Sequence, residues 1–303
     1  MIASADAGSY LANIVGGLGS GSVLFIVASG LTLVFGALRV INFAHGGLVL
    51  LGMYFTYELQ NAIGWSNGLF FVVIFLVAII VALLGLVLEV GFFRPIYKRQ
   101  LLTQLIVTFS FSLIIAGVIR YEIGGGGTTT LGPPPFIRGH INIGAGSISY
   151  FKLAMIGIGA IVGVLLWALL YRTGLGRMIR AAVSDPELLA LSGVNVRWLF
   201  TGVFMIGASL AGFAGSIITF EGSFDSSKGE IIIRAFIVVV IGGLGSISGA
   251  FIASLLITVF EALVTVVFSN NPQLQSLGSI GVVYLILVIV LAVRPQGLRG
   301  QSA

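Results

Sequence analysis

The chain has 303 residues, 58% of them hydrophobic and only 8% charged, with a formal net charge of +5. A soluble domain carries about a quarter charged residues, so this chain cannot cover itself with polar surface and its solvent must be lipid. The positive charge reads as an orientation signal and not as a nucleic-acid footprint, because the basic residues sit at the ends of apolar runs and form no block. Cysteine is absent, which removes a disulfide framework, thiolate metal sites and thiol nucleophiles.

The first ten residues have neither a basic n-region nor a small-residue cleavage site. The first apolar run, 11–37, is therefore read as a retained span and not as a signal peptide. Further runs lie at 44–60, 68–93, 101–121, 151–171, 198–220 and 276–293, with a broken run over 231–268. About 20 residues cross the hydrocarbon core, so each continuous run can span and the broken region holds more than one element. The predicted class is an all-α polytopic membrane protein in a single domain over 1–303. It would hold about 8 transmembrane helices, a broken or re-entrant helix and a short helical element at 173–197. Glycine is frequent inside the runs, and Ala208, Ala211, Gly212 and Gly215 read as a close-packing face.

Basic residues orient the spans. Arg94, Lys98 and Arg99 lie between the third and fourth runs, Arg172, Arg177, Arg180 and Arg197 flank the fifth and sixth, and Arg294 and Arg299 follow the last. These places are predicted to be cytoplasmic. The 61–67 and 269–275 loops lack Lys and Arg and are predicted to face outward with the 122–150 loop, whose glycines at 124–127 read as flexible. Alternation puts the N-terminus outside and the C-terminus inside. The 231–268 segment then starts and ends outside, entering at 231–241 and turning at Gly242, Gly243, Leu244, Gly245 and Ser246. Broken backbone at membrane depth is tolerated only where it is buried or lines a cavity. The turn is thus either part of a pathway or a plain helical hairpin.

Few residues can carry chemistry. Asn42 and His45 are three apart and share a helix face; they either tie two helices together or stand beside a path. His45 has no second ligand at metal spacing. Glu89 and Glu261 are carboxylates within runs, which default to functional hypotheses. Glu89 is close to Arg94 and the interface, whereas Glu261 could pair with Arg234 or meet a solute. Glu221 and Asp225 belong to an outer loop. No His-Glu-x-x-His, Gly-x-Ser-x-Gly or Gly-x4-Gly-Lys-Ser/Thr is present, so the chain cannot itself cradle ATP phosphates.

The stretch 173–196 is too long for a simple connection and looks folded. Arg172, Arg177 and Arg180 lie on a short segment that Ala181 and Ala182 bias to helix. Asp185, Pro186 and Glu187 restart a second helix with Asp as cap and Pro in the first turn, and Ser192-Gly193 stops it. A compact helical element of this kind is a docking surface for a soluble partner.

Four motifs occur in order: Asn42-Phe43-Ala44-His45-Gly46, the stretch 174–196, the turn 242–246 with Gly249-Ala250, and Arg294-Pro295-Gln296-Gly297-Leu298. Together they resemble the branched-chain amino acid permease family of ABC importers, in its shorter, LivH-like form, over nearly the whole chain. The resemblance implies a permease subunit in a bacterial inner membrane, not an enzyme. It would work with a second, LivM-like permease, a periplasmic substrate-binding protein and two ATPase subunits that carry the ATP and magnesium. No cofactor is expected in this chain and no nucleic acid partner. The stretch 173–197 would be the coupling element, with Gly176 and Gly193 shaping it, Arg177, Arg180, Asp185 and Glu187 as polar contacts around Pro186, and Leu188, Leu189 and Leu191 as apolar ones. Thr32, Asn42, His45, the 242–246 turn and Glu261 would shape a low-affinity path. Relatives carry branched-chain and other amino acids, urea or short amides, and aromatic or organic acids. An ion-coupled carrier using Glu261, or a channel, are the competing readings, and both leave 173–197 unexplained.

Overall fold

A computed structural model describes residues 6–63, 69–123, 129–224 and 231–300. The helices in chain order are α1 (Ala7–Leu38), α2 (Ala44–Ile63), α3 (Leu69–Leu88), α4 (Leu101–Glu122), α5 (Tyr150–Arg172), α6 (Gly174–Ser184), α7 (Pro186–Leu191), α8 (Val196–Ile218), α9 (Ile231–Gly242), α10 (Ile247–Val267) and α11 (Pro272–Val293). Among the described residues, 7 helices are long and apolar enough to cross a membrane. At 1.5 Å per residue the 20-residue α2 is also of spanning length, about 30 Å, while the 12-residue α9 reaches only about 18 Å. This is the predicted set of spans, with α9 as the short element.

Side-chain caps fix the helix starts. Ser149, Thr173, Asp185, Asn195, Ser246 and Asn271 each accept a backbone N–H at the head of α5, α6, α7, α8, α10 and α11. Each such cap contributes about 1 kcal/mol by satisfying a donor that the helix cannot. Arg39 closes α1 with a left-handed φ of 55° and donates its N–H to Phe35 O.

Two segments depart from the sequence reading. The run 68–93 is not uniform helix: a π-helical turn occupies Glu89–Phe93 and a 3-10 turn follows at Arg94–Ile96. Pro95 supplies no N–H, so the regular ladder cannot continue through it, and the wider π turn draws Glu89 inward. The 122–150 loop carries strands. β1 (Thr129–Thr130) pairs with β4 (Ser223–Phe224), and β2 (His140–Ile143) pairs with β3 (Gly146–Ser149) across a turn where Gly144 takes φ +58°. Asp6 accepts the Ala145 N–H at 3.1 Å, fastening the head of α1 to that hairpin. The 124–127 glycines and Asp225 lie outside the described residues.

The core is built on α1 and α8, which pack against one another and against α2, α3, α5 and α10. Backbone approach makes this possible. A Cβ on Gly52 would lie 2.5 Å from Gly212 O, one on Gly212 2.7 Å from Val81, and one on Gly207 2.6 Å from Val34. Ala208 and Ala211 are fully buried between them. The small-residue face read from the sequence is therefore the seam of α8 with α1, α2 and α3. Two hydroxyl bonds reinforce it, Thr56 Oγ1 to Ser216 Oγ at 2.8 Å and Thr219 Oγ1 to Met53 O at 3.4 Å. Phe75, Val164 and Val288 instead point outward from α3, α5 and α11, as helices solvated by lipid require.

Gly215 tests the seam, because a Cβ there would overlap Val49 O. Gly215→Val is expected to destabilise the folded protein by about 3 kcal/mol, the upper end for overpacking against unyielding backbone. Gly202→Ala, in open space on the same helix, should leave stability unchanged or slightly raised. Thermal unfolding of the detergent-solubilised variants reads both.

Candidate functional site

Two surfaces stand out, at opposite ends of the bundle. At the end where α1 finishes, α6 and α7 form an elbow after α5. Ile179 and Ala182 of α6 are buried against Leu33 and Ala37 of α1 and Leu199 and Val203 of α8. Gly176 turns the corner, since any Cβ there would overlap the carbonyls of Leu169 and Leu170. Arg180 donates to Leu170 O and lies over the Tyr171 ring, and Arg39 reaches Val183 O at 3.4 Å.

This rigid base carries an exposed tip. The Asp185 carboxylate accepts the N–H groups of Glu187 and Leu188 at 3.0 and 2.9 Å, starting α7 at Pro186. Gly193, at φ +81°, ends it. Leu189 packs back on the elbow's core, whereas Leu188 is 62% and Leu191 85% exposed. Glu187 on the same helix and Arg177 on α6 are exposed too. Of the predicted contacts, Asp185 and Arg180 already hold the elbow together, leaving the two leucines, Arg177 and Glu187 free to meet a partner.

The other predicted residues do not converge. His45 Nε2 hydrogen-bonds Val27 O at 3.0 Å, tying α2 to α1 beneath Gly30. Asn42 Oδ1 accepts the Ala44 N–H at the start of α2. Both are buried, as is Thr32. The turn at 242–246 sits at the elbow's end of the bundle, where residues after α11 fold onto it. Leu298 donates its N–H to Ile241 O at 2.7 Å and Arg299 to Gly242 O at 3.0 Å, and a Cβ on Gly297 would lie 2.6 Å from Gly243 N. Two of the sequence motifs are thus halves of one interlocked joint. Glu261 is a further 15 residues beyond Ser246, roughly 22 Å away along α10.

Glu261 belongs to the second surface, an open groove of about 730 Å³ between α1, β3, α5, α9, α10 and α11. That volume lies within the range of small-molecule sites. Its charged residues are Lys152, Arg234 and Glu261. Arg234 pairs with Glu261, and Lys152 pairs with Glu221 while donating to Ser20 Oγ at 2.7 Å. Ser9, Asn13, Gly16 and Ser20 form its α1 wall. The sequence reading reached only Glu261 and its pairing with Arg234. The α1 wall does carry a signal, a polar and small stripe at helical spacing, but one hidden in a helix that is apolar on average. Lys152 sits just inside the fifth run and looks like an interfacial anchor.

Glu89 is not in either surface. It is 1% exposed and receives Arg94 Nε and Nη2 at 3.2 and 2.8 Å and Thr201 Oγ1 at 2.9 Å, while Arg94 stacks 5.6 Å over Trp198. This network staples the end of α3 to α8 beside the elbow.

Residues 13–291 match the family described as branched-chain amino acid transport system / permease component. The chain belongs to that family. It is 30% identical over 301 residues to the high-affinity branched-chain amino acid transport system permease protein BraD of Pseudomonas aeruginosa, covering 96% of each chain. The corresponding permease protein LivH of Escherichia coli is 28% identical over 302 residues, again covering 96% of each. The fructose import permease protein FrcC of Rhizobium meliloti is 27% identical, covering 92% of this chain and 74% of its own. The chain is therefore a multi-pass membrane permease subunit of an ABC importer and not an enzyme.

Removing one partner of the Glu89 network should cost more than removing both. Arg94→Ala leaves a buried carboxylate and is expected to destabilise by about 3 kcal/mol. Adding Glu89→Leu to that variant should recover part of the loss. Unfolding midpoints of the two solubilised variants decide it.

Proposed function

We propose that this permease imports branched-chain or other hydrophobic amino acids across a bacterial inner membrane, as one half of the membrane domain. Its named relatives BraD and LivH point to that cargo. The fructose permease among the relatives shows why cargo needs its own experiment. A periplasmic binding protein would deliver the solute to the outer end, and a second, LivM-like permease would complete the path. The basic end holding Arg39, Arg94, Arg172 and Arg177 would face the cytoplasm, placing the N-terminus outside and the C-terminus inside.

The observation that carries the coupling role is the elbow. A helix of six residues, anchored on α1 and α8, holds two leucines in the open outside the spans. Leucines at i and i+3 share one face of that helix, and an apolar pair held in the open beyond the spans fits a contact with another protein. The occupant would be an ATPase subunit, with ATP and magnesium on that subunit and no cofactor in this chain. Nucleotide-driven movement of the ATPase pair would push α6–α7, and through Ile179 and Ala182 would shift α1 against α8.

Leu188→Glu with Leu191→Glu should abolish co-purification of the ATPase subunits and lower ATP-driven uptake at least tenfold, while the permease still folds. Retained ATPase at wild-type levels would sink the docking assignment. Uptake of labelled leucine, isoleucine and valine into vesicles holding the whole transporter, against fructose and urea, tests the cargo. In the same vesicles, a single cysteine in place of Leu244, which is 49% exposed beside the buried Gly243 in the same turn, should be shielded from an impermeant thiol reagent added outside. Labelling from outside alone would overturn the orientation.

A further inference from the structure

We propose that the groove beside α1 is a binding station for a zwitterion, with Arg234 taking a carboxylate, Lys152 beside the same groove, and Glu261 taking an ammonium group. The inference rests on the reading of the cargo as an amino acid and adds where and how its charged ends are held. Three observations carry it. The groove has small-molecule size and is lined mostly by small and hydroxyl-bearing residues. Each of its three charges is already paired with one of opposite sign, Arg234 with Glu261 inside the groove and Lys152 with Glu221, which does not line it. Arg234 lines the groove and is 47% exposed, so a solute can reach the guanidinium beside its bond to Glu261.

Charge neutrality would make the groove prefer a zwitterion. In a site walled by apolar helices an uncompensated charge is costly, which is why the resting groups are paired. A zwitterion brings one charge of each sign. Its carboxylate can replace Glu261 on Arg234 while its ammonium takes the freed Glu261, and the groove stays neutral at each stage. Arg234 suits the carboxylate because its planar fork donates two parallel bonds. A simple anion or amine would leave one unit uncompensated. Ser20, Thr258 and Thr265 supply neutral hydroxyls along the wall.

Gly16 sets the floor. It lines the groove, and a Cβ there would meet nothing within 4 Å. The next residue differs: a Cβ on Gly17 would lie 2.7 Å from Thr258 O, so Gly17 brings α1 and α10 together while Gly16 keeps the space above them open. The apolar side chain of the solute would rest over Gly16 and Ala262.

The test uses the whole transporter with its binding protein in lipid vesicles. Gly16→Trp puts a ring into the groove from a position where a Cβ meets nothing within 4 Å and is expected to cut leucine uptake at least tenfold. Arg234→Gln should raise the apparent KM for leucine about tenfold. Monodisperse elution and normal recovery of the ATPase subunits show that each variant has folded. As a second readout, a thiol reagent should label Gly16→Cys, the only cysteine in the chain, several-fold more slowly with leucine present than with isoamylamine or 4-methylpentanoate. Leucine uptake and labelling unaffected in these variants would overturn the station while leaving the cargo intact. Wild-type vesicles that import no amino acid would overturn the cargo reading, and the station with it.

Discussion

The structure depends on how closely the α8 backbone approaches α1, α2 and α3. Lipid is as apolar as a leucine side chain, so burying hydrophobic residues between helices gains little there. What remains is dispersion, which falls steeply with separation. Gly52, Gly207 and Gly212 remove the side chains that would hold the helices apart. Their lack of a side chain thereby becomes the main source of cohesion. Both candidate surfaces hang from this seam. The elbow is bolted to the end of α1 and α8, and the groove is cut into the far end of α1.

Charge is handled by a second rule. The described ion pairs link segments that would otherwise slide past one another: Glu89 with Arg94 and Thr201 at the elbow's end, Lys152 with Glu221 and Arg234 with Glu261 at the groove. In the first, Glu89 is 1% exposed and also takes a bond from Thr201, so the pair is structural. The other two border open space, where a solute bearing the same charges can substitute for either partner. Identical chemistry thus serves as a rivet in one place and as an exchangeable contact in the other, and solvent access makes the difference.

Much of the architecture was legible because length and apolarity are read directly. Spans, the elbow's two helices, the Asp185 cap and the Gly193 stop all follow from local rules that tertiary packing did not overrule. The π turn at Glu89–Phe93 was hidden, since a wide turn differs from a regular one by a single hydrogen-bond register. The strands at 129–149 were hidden by their shortness. The groove was the largest omission. Ser9, Asn13, Gly16 and Ser20 fall on one face, yet their polarity is too slight to stand out of α1, and Lys152 and Arg234 come from distant helices. The glycines at 242–246 gave the opposite problem: their density suggested a path, but it serves the joint with residues 297–300.

That joint bears on how the protein is made. α9 is too short to cross a bilayer alone, and its turn into α10 is pinned by backbone bonds from Leu298 and Arg299. Those residues leave the ribosome after α10 and α11 have both been synthesised. The hairpin must therefore wait in the membrane unlocked, its carbonyls at Ile241 and Gly242 lacking these donors, until Leu298 and Arg299 arrive. The joint at 241–246 is thus completed by residues made more than fifty positions later, and their emergence sets the moment at which this part of the fold closes.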